Sequence, residues 1–339
     1  MRMALILLGV VAAAAAAWSG WWFVGSAAKE EAFAAWLAER RAEGWRAEAA
    51  AIETQGFPSR FDTRITALAL ADPEEGWAWS TPFMDVLMLS YRPNAAVVVL
   101  PGGQTLAVPG ARATLDAADL RGSVRFEPGL DLALERLSVV AEALTVSAEA
   151  GWRASADSLE AHVREADPER TPEHGYEFWL DAESVTLPEP LLAAVDPAGA
   201  LPDVFDRLVI DLRAALARPL DRRAVEDGPP DARALSLRTL DARWGALALT
   251  ASGTVRADAE GYAEGEVSIR AENWREMLRA AVRAGAIGGD LASALEFGLG
   301  LLAGFSGGDV LEAPITFSGG RARIGPVPIG RAPRIAGPG

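Results

Sequence analysis

The apolar positions of this 339-residue chain fall into two regimes, one unbroken run at the start and short alternating runs over most of the remainder. Met3 to Val24 reads MALILLGVVAAAAAAWSGWWFV and contains no charged residue. As a helix rising about 1.5 Å per residue it would extend about 33 Å, enough to cross the hydrocarbon core of a bilayer. Beyond it, Ala32, Phe33, Trp36 and Leu37 recur at i, i+3, i+4 spacing, with Glu30, Glu39, Arg40 and Arg41 on the rest of the circumference. That pattern predicts an amphipathic helix closed by Gly44. Its stripe suits either a helix lying on the bilayer or one capping the adjoining domain, and the mixed signs of its polar face favour capping.

From Ala49 to Pro188 the period shortens to two. Arg60-Phe61-Asp62-Thr63-Arg64-Ile65 alternates, and the phase changes near Ala67-Leu68, which predicts a bulge or bend. Strands are predicted over 83–89, 95–100, 104–108, 122–126, 134–140 and 144–150. Turn chemistry separates them at Arg92-Pro93-Asn94, Pro101-Gly102-Gly103, Pro109-Gly110 and Glu127-Pro128-Gly129. Asp206–Leu216 alternates like a strand although its Ala and Arg favour helix, and the strand reading is taken. Further strands are predicted at Leu247–Val255 and Gly265–Ala271. Asn273 is placed to cap a helix over Trp274–Ala284, and Asp290 to cap another over Leu291–Leu302. Ala313–Phe317 and Arg321–Ile324 form a terminal hairpin turning at Ser318-Gly319-Gly320.

The predicted fold is β-rich α+β, an elongated, curved antiparallel sheet or pair of sheets with a few short helices, preceded by one N-terminal transmembrane helix. The expected organisation is an anchor or uncleaved signal over 1–28, an amphipathic helix over 29–44 and a first β-meander over 45–190. A second meander covers 191–339, with a helical pair at 273–303 and the closing hairpin. A shift of 103 residues aligns Leu134 with Leu237, Leu144 with Leu247 and Arg153 with Arg256, as either internal duplication or shared strand patterning would.

Composition narrows the function classes. Only Arg2 and the amino terminus precede the uncharged run, whereas Lys29, Glu30 and Glu31 come after it, which orients it N-in, C-out. Trp18, Trp21 and Trp22 sit at its exit end, where an aromatic belt would meet the membrane interface. A cleaved secretory signal ending at Ser26-Ala27-Ala28 is the competing reading, and the run is longer than ordinary signal cores. Either way the remainder is exported. Net charge is -15, which makes nucleic acid a poor partner. The absence of cysteine removes disulfides, thiolate catalysis and cysteine-ligated metals.

Candidate chemistry is sparse. The two histidines, His162 and His174, lack metal-ligand spacing. Gly304-Phe305-Ser306-Gly307-Gly308 spells G-x-S-x-G but comes after a predicted helix and before a strand, the reverse of a nucleophile elbow. Gly298 to Gly304 lacks the spacing and lysine of a phosphate loop and reads as a helix packed closely on the sheet. No catalytic, cofactor or metal residue is assigned. The remaining candidate is an apolar groove contributed by Leu68, Leu70, Val86, Met88, Val97, Val99, Leu247 and Leu249, which would either hold acyl chains or pack as ordinary core.

Three stretches carry a family resemblance: the anchor with its helix, Gly56-Phe57-Pro58-Ser59-Arg60-Phe61-Asp62, and the ending Pro314-Ile315-Thr316-Phe317 through Gly325-Pro326-Val327-Pro328-Ile329-Gly330. Together they resemble the exported bacterial domain-of-unknown-function family 2125 over most of the chain. The ending and the Gly253, Gly261, Gly265, Asn273-Trp274 pattern more loosely resemble AsmA-type envelope proteins. That second likeness implies a β-rich, inner-membrane-anchored protein concerned with lipid movement and outer-membrane maintenance. The functional expectation is a non-enzymatic envelope protein without cofactor, with the membrane, lipid and other envelope proteins as partners. The alternatives are a ligand-free scaffold and an exported serine hydrolase.

Overall fold

The anchor run and the amphipathic run form one helix, α1 (Arg2–Ala42). The computed structural model describes residues 2–337 apart from 168–173, 197–198, 200, 286–287 and 304–307. The segment Ile6–Ala42 of α1 is long and apolar enough to cross a membrane. Gly44, with φ +95°, turns the chain out of it as expected of a C-terminal glycine. By contacts the chain divides into two compact units, Met1–Arg125 with Val146–Gly151, and Phe126–Thr145 with Trp152–Gly339.

The first unit holds β1 (Arg46–Glu48), β2 (Ala51–Gln55), β3 (Arg60–Asp72), β4 (Trp77–Leu89), β5 (Arg92–Val99), β6 (Gln104–Val108), β7 (Ala111–Asp116) and all but the last residue of β8 (Asp119–Phe126). β3 is its central strand. It pairs with β1 and β2 on one side and with β4 on the other, and β4 in turn pairs with β5 and β6. One face of β3 packs against α1, where Leu37, Ala47, Ile65 and Leu68 form a buried cluster.

In the second unit lie most of β9 (Leu134–Ala148) together with β10 (Arg153–Glu165), β11 (Gly175–Thr186), α2 (Glu189–Val195), β12 (Val204–Leu216), α3 (Arg222–Glu226) and β13 (Ala232–Trp244). β14 (Leu247–Ala257), β15 (Ala263–Glu272), α4 (Trp274–Arg283), α5 (Gly289–Ala303), β16 (Val310–Ser318), β17 (Arg321–Ile324) and β18 (Val327–Arg331) complete it. From β10 to β18 every successive strand pairs antiparallel with the next. The register brings apolar residues into cross-strand rows: Ala161, Leu180, Ile210, Leu240, Ala251, Ile269 and Ala313 lie side by side. At the β14–β18 end this face is covered by α4 and α5, around a buried cluster that includes Trp274, Leu295, Leu299 and Leu311.

The fold is the antiparallel, β-rich one predicted, and Asp206–Leu216 is indeed strand. Several local expectations are corrected. The two strands predicted over 134–140 and 144–150 are one, Leu134–Ala148, because Ala143 takes φ +49° and shifts the alternation without ending the strand. Asn273 adopts a left-handed conformation, and its side-chain amide donates to the Ala246 carbonyl 2.5 Å away instead of capping α4. Asp290 lies inside α5 rather than before it. A further strand, β18, comes after the predicted terminal hairpin.

Candidate functional site

The feature that combines shape, chemistry and position is an apolar cavity of about 570 Å³ between α1 and the β3–β4 pair. Phe33, Trp36 and Leu37 form its helical wall, and Ile65, Leu68 and Leu70 its strand wall. The helical wall results from i, i+3, i+4 spacing. Ala67 breaks the period-two logic of the strand wall. Its φ of +49° bends the strand without a bulge, the register with β4 running through it unshifted, and both Ile65 and Leu68, three residues apart, face α1.

Polar atoms at the rim already have partners. The Lys29 ammonium donates to the carbonyl oxygens of Phe61 at 3.1 Å and Val86 at 3.3 Å. Trp79 Nε1 donates to Gln104 Oε1 at 3.1 Å, and Gln104 Nε2 donates to the Pro101 carbonyl at 3.1 Å. Lys29 is the only ionisable side chain among the residues lining the space. Such a lining favours hydrocarbon and offers a headgroup or a polar metabolite little to bind.

The eight residues predicted to share a groove do not share one face. Leu68 and Leu70 line the cavity. Val86 and Met88 lie on the same side of the sheet, opposite Thr63 and Phe61 in the ladder. Val97 and Val99 pair with Leu87 and Asp85, which puts them on the other side. Leu247 and Leu249 belong to the second unit, where Leu247 is buried and Leu249 packs against the cluster under α4 and α5. Ile65, Trp79 and Met84 were not among the predicted residues, although period two from Phe61 points to Ile65.

The interface tryptophans divide in the same way. Trp21 is exposed, whereas Trp22 is 6% exposed, stacks on Phe61 with centroids 5.9 Å apart and donates to the Arg60 carbonyl at 2.7 Å. Trp18 Nε1 donates to the Pro58 carbonyl at 2.8 Å.

Elsewhere the polar groups make a structural lattice. Glu177 on β11, 8% exposed, accepts from Arg213 and Arg164 at 2.5 Å and from Arg238 at 3.2 Å. The Arg213 hydrogen bond, reinforced by Arg164 and Arg238, holds its carboxyl down at about 2. Arg238 also binds Asp211, and Arg207 binds Asp181, each at 2.6 Å. His162 stacks on Trp179, and His174 takes φ +61° just before β11. Among the described residues no cluster of metal-ligating side chains occurs. Ser306 and its flanking glycines 304 and 307 lie outside the described residues. In α5, a Cβ at Gly298 would fall 2.5 Å from Val327, the close packing that its glycine predicted.

Neither a curated protein nor a solved structure matches the chain. The model of the family described as Uncharacterized protein conserved in bacteria (DUF2125) matches residues 22–333, from the buried Trp22 to just past β18, and the chain belongs to that family.

Proposed function

We propose that this protein is a non-enzymatic, single-pass inner-membrane protein with its bulk in the periplasm, and that it shields a lipid acyl chain in the cavity beside its anchor. The observation that supports this reading is the cavity's place on α1. Lys29 at its rim lies five residues past Val24, the end of the uncharged run, or about 7.5 Å along the helix axis. A lipid leaving the bilayer would meet apolar surface almost at once. Each methylene withdrawn from water contributes about 0.8 kcal/mol, so a stretch of ten would contribute about 8 kcal/mol before the cost of ordering the chain.

The test is native mass spectrometry, with lipid extraction, of the full chain purified from membranes. A phospholipid or fatty-acyl species near one per chain is the expected result. Ala32 lies exposed at the edge of the cavity. Ala32→Trp should therefore fill the space from the helix side and abolish lipid retention while leaving the melting temperature within about 2 °C. A folded, monodisperse and empty wild-type protein would overturn the reading and leave a ligand-free envelope scaffold.

A further inference from the structure

The sequence Gly56-Phe57-Pro58-Ser59-Arg60 forms the turn from β2 into β3, and the structure seats it against the last turns of the uncharged helix. Trp18 precedes Val24 by six residues, about 9 Å of helix axis. The indole of Trp18 nevertheless reaches the Pro58 carbonyl, and the Phe57 ring lies 5.5 Å from Trp22 and 5.8 Å from Phe23, centroid to centroid. The turn therefore runs alongside a part of α1 that the bilayer reading places below the membrane surface.

Two independent features of the turn fit that depth. The first is its exposed chemistry. Phe57 is 51% exposed, beside exposed Trp18 and Phe23, an apolar group that water would disfavour and lipid would cover. The second is its backbone. Irregular backbone is favoured at membrane depth where its polar groups find partners within the protein, as the carbonyls of Gly56, Pro58, Ser59 and Arg60 do. Here the Gly56 carbonyl accepts from the Arg60 N–H at 2.9 Å, and the Ser59 carbonyl from the Ser90 N–H at 2.9 Å. Pro58 and Arg60 carbonyls take the two indole N–H groups, and Pro58 has no N–H of its own to satisfy. Arg60, paired with Asp62 at 2.9 Å, closes the turn with a long side chain able to reach the headgroup level.

We infer that the Gly56–Arg60 turn is a second membrane contact, inserting Phe57 into the interfacial layer of the bilayer beside α1. This rests on the reading of Met3–Val24 as a spanning segment, and the experiment separates the two. Because the chain has no cysteine, single cysteines are clean probes. Phe57→Cys, Ser59→Cys, Val11→Cys and Glu74→Cys would each be labelled with an environment-sensitive fluorophore in the full chain. The labelled chains would be reconstituted in phosphatidylethanolamine and phosphatidylglycerol vesicles carrying spin-labelled lipid quenchers at shallow or deep positions.

The expected result is strong quenching at 57 by the shallow quencher, at 11 by the deep one, and none at 74, with 59 behaving like 57. Quenching at 11 with water-like emission at both 57 and 59 would overturn the inference while leaving the spanning segment intact. Water-like emission at 11 would overturn both. Label 59 guards against a local disturbance caused by removing the Phe57 ring.

Discussion

At Glu177 one buried carboxylate meets three guanidinium groups, and the site is informative because the partners differ in exposure. Arg164 is more than half exposed and Arg213 about a quarter, so the lattice is only partly desolvated and solvent screening weakens each pair. Removing the carboxylate still leaves three cations crowded together, with Arg238 keeping its pair to Asp211. Glu177→Gln should lower the unfolding free energy at pH 7 by about 2–3 kcal/mol, below the cost of breaking a fully buried pair. The pH profile carries the sign. The folded-state pKa of about 2 lies below the usual 4.5, so ionised Glu177 stabilises the fold fully above pH 4.5. That contribution is lost as pH falls from 4.5 toward 2. Urea unfolding across that window should show a steeper loss in the wild type than in Glu177→Gln, the two converging near pH 2. Parallel profiles would mean that the lattice contributes nothing to stability.

Among the elements, β14 and β15 explain a glycine pattern that the sequence displays without a cause. A Cβ at Gly253 would fall 2.3 Å from the Glu266 carbonyl oxygen and 2.5 Å from Val267 Cα, both backbone atoms that cannot swing aside. Gly265 on the facing strand, at φ +140°, meets the Thr254 carbonyl in the same way. The two strands approach more closely than side chains allow. Gly253→Ala should therefore cost about 1–3 kcal/mol in thermal unfolding. Gly129→Ala, where a Cβ meets nothing within 4 Å, should stay within about 0.5 kcal/mol. Equal effects at the two positions would remove close approach as the reason for Gly253.

The same elements show how far the sequence pattern reaches. Alternation between Pro and Gly turns is enough to find most strands, and the phase change at Ala67-Leu68 is legible because one left-handed residue moves every later apolar residue by one position. What alternation cannot supply is register. Whether Val97 faces with Val86 or against it depends on which β4 residue it pairs with, and the ladder sets Val97 beside Leu87. The predicted groove therefore scatters, while Leu68 and Leu70 stay together because they lie two apart on one strand. The cavity's other wall, Phe33, Trp36 and Leu37, is visible as a helical stripe. Its meeting with β3 is a tertiary fact that periodicity does not contain.

For the molecule as a whole, the decisive question is what α1 is to the domain it carries, and the packing argues for a permanent part. Leu37 belongs to the first unit's buried cluster with Ala47, Ile65 and Leu68. Twelve residues earlier a Cβ at Gly25 would fall 2.7 Å from the Phe61 ring, so helix and strand are in contact there too. Ser26, in the small-residue segment where a signal peptidase would cut, is buried, as is Trp22 one turn before it. Cleavage near Ala28 would strip Trp22 from Phe61 and withdraw both indole donors from the Gly56–Arg60 turn. The protein purified from membranes should accordingly have an intact mass that retains Trp18 to Trp22, and it should stay with the membrane pellet after an alkaline wash. Trp22→Ala should destabilise the first unit by about 3 kcal/mol, the range for emptying a buried aromatic site. A mature mass beginning near residue 28, on a protein that melts like the full chain, would show instead that the packing of α1 on β3 adds nothing to the folded domain.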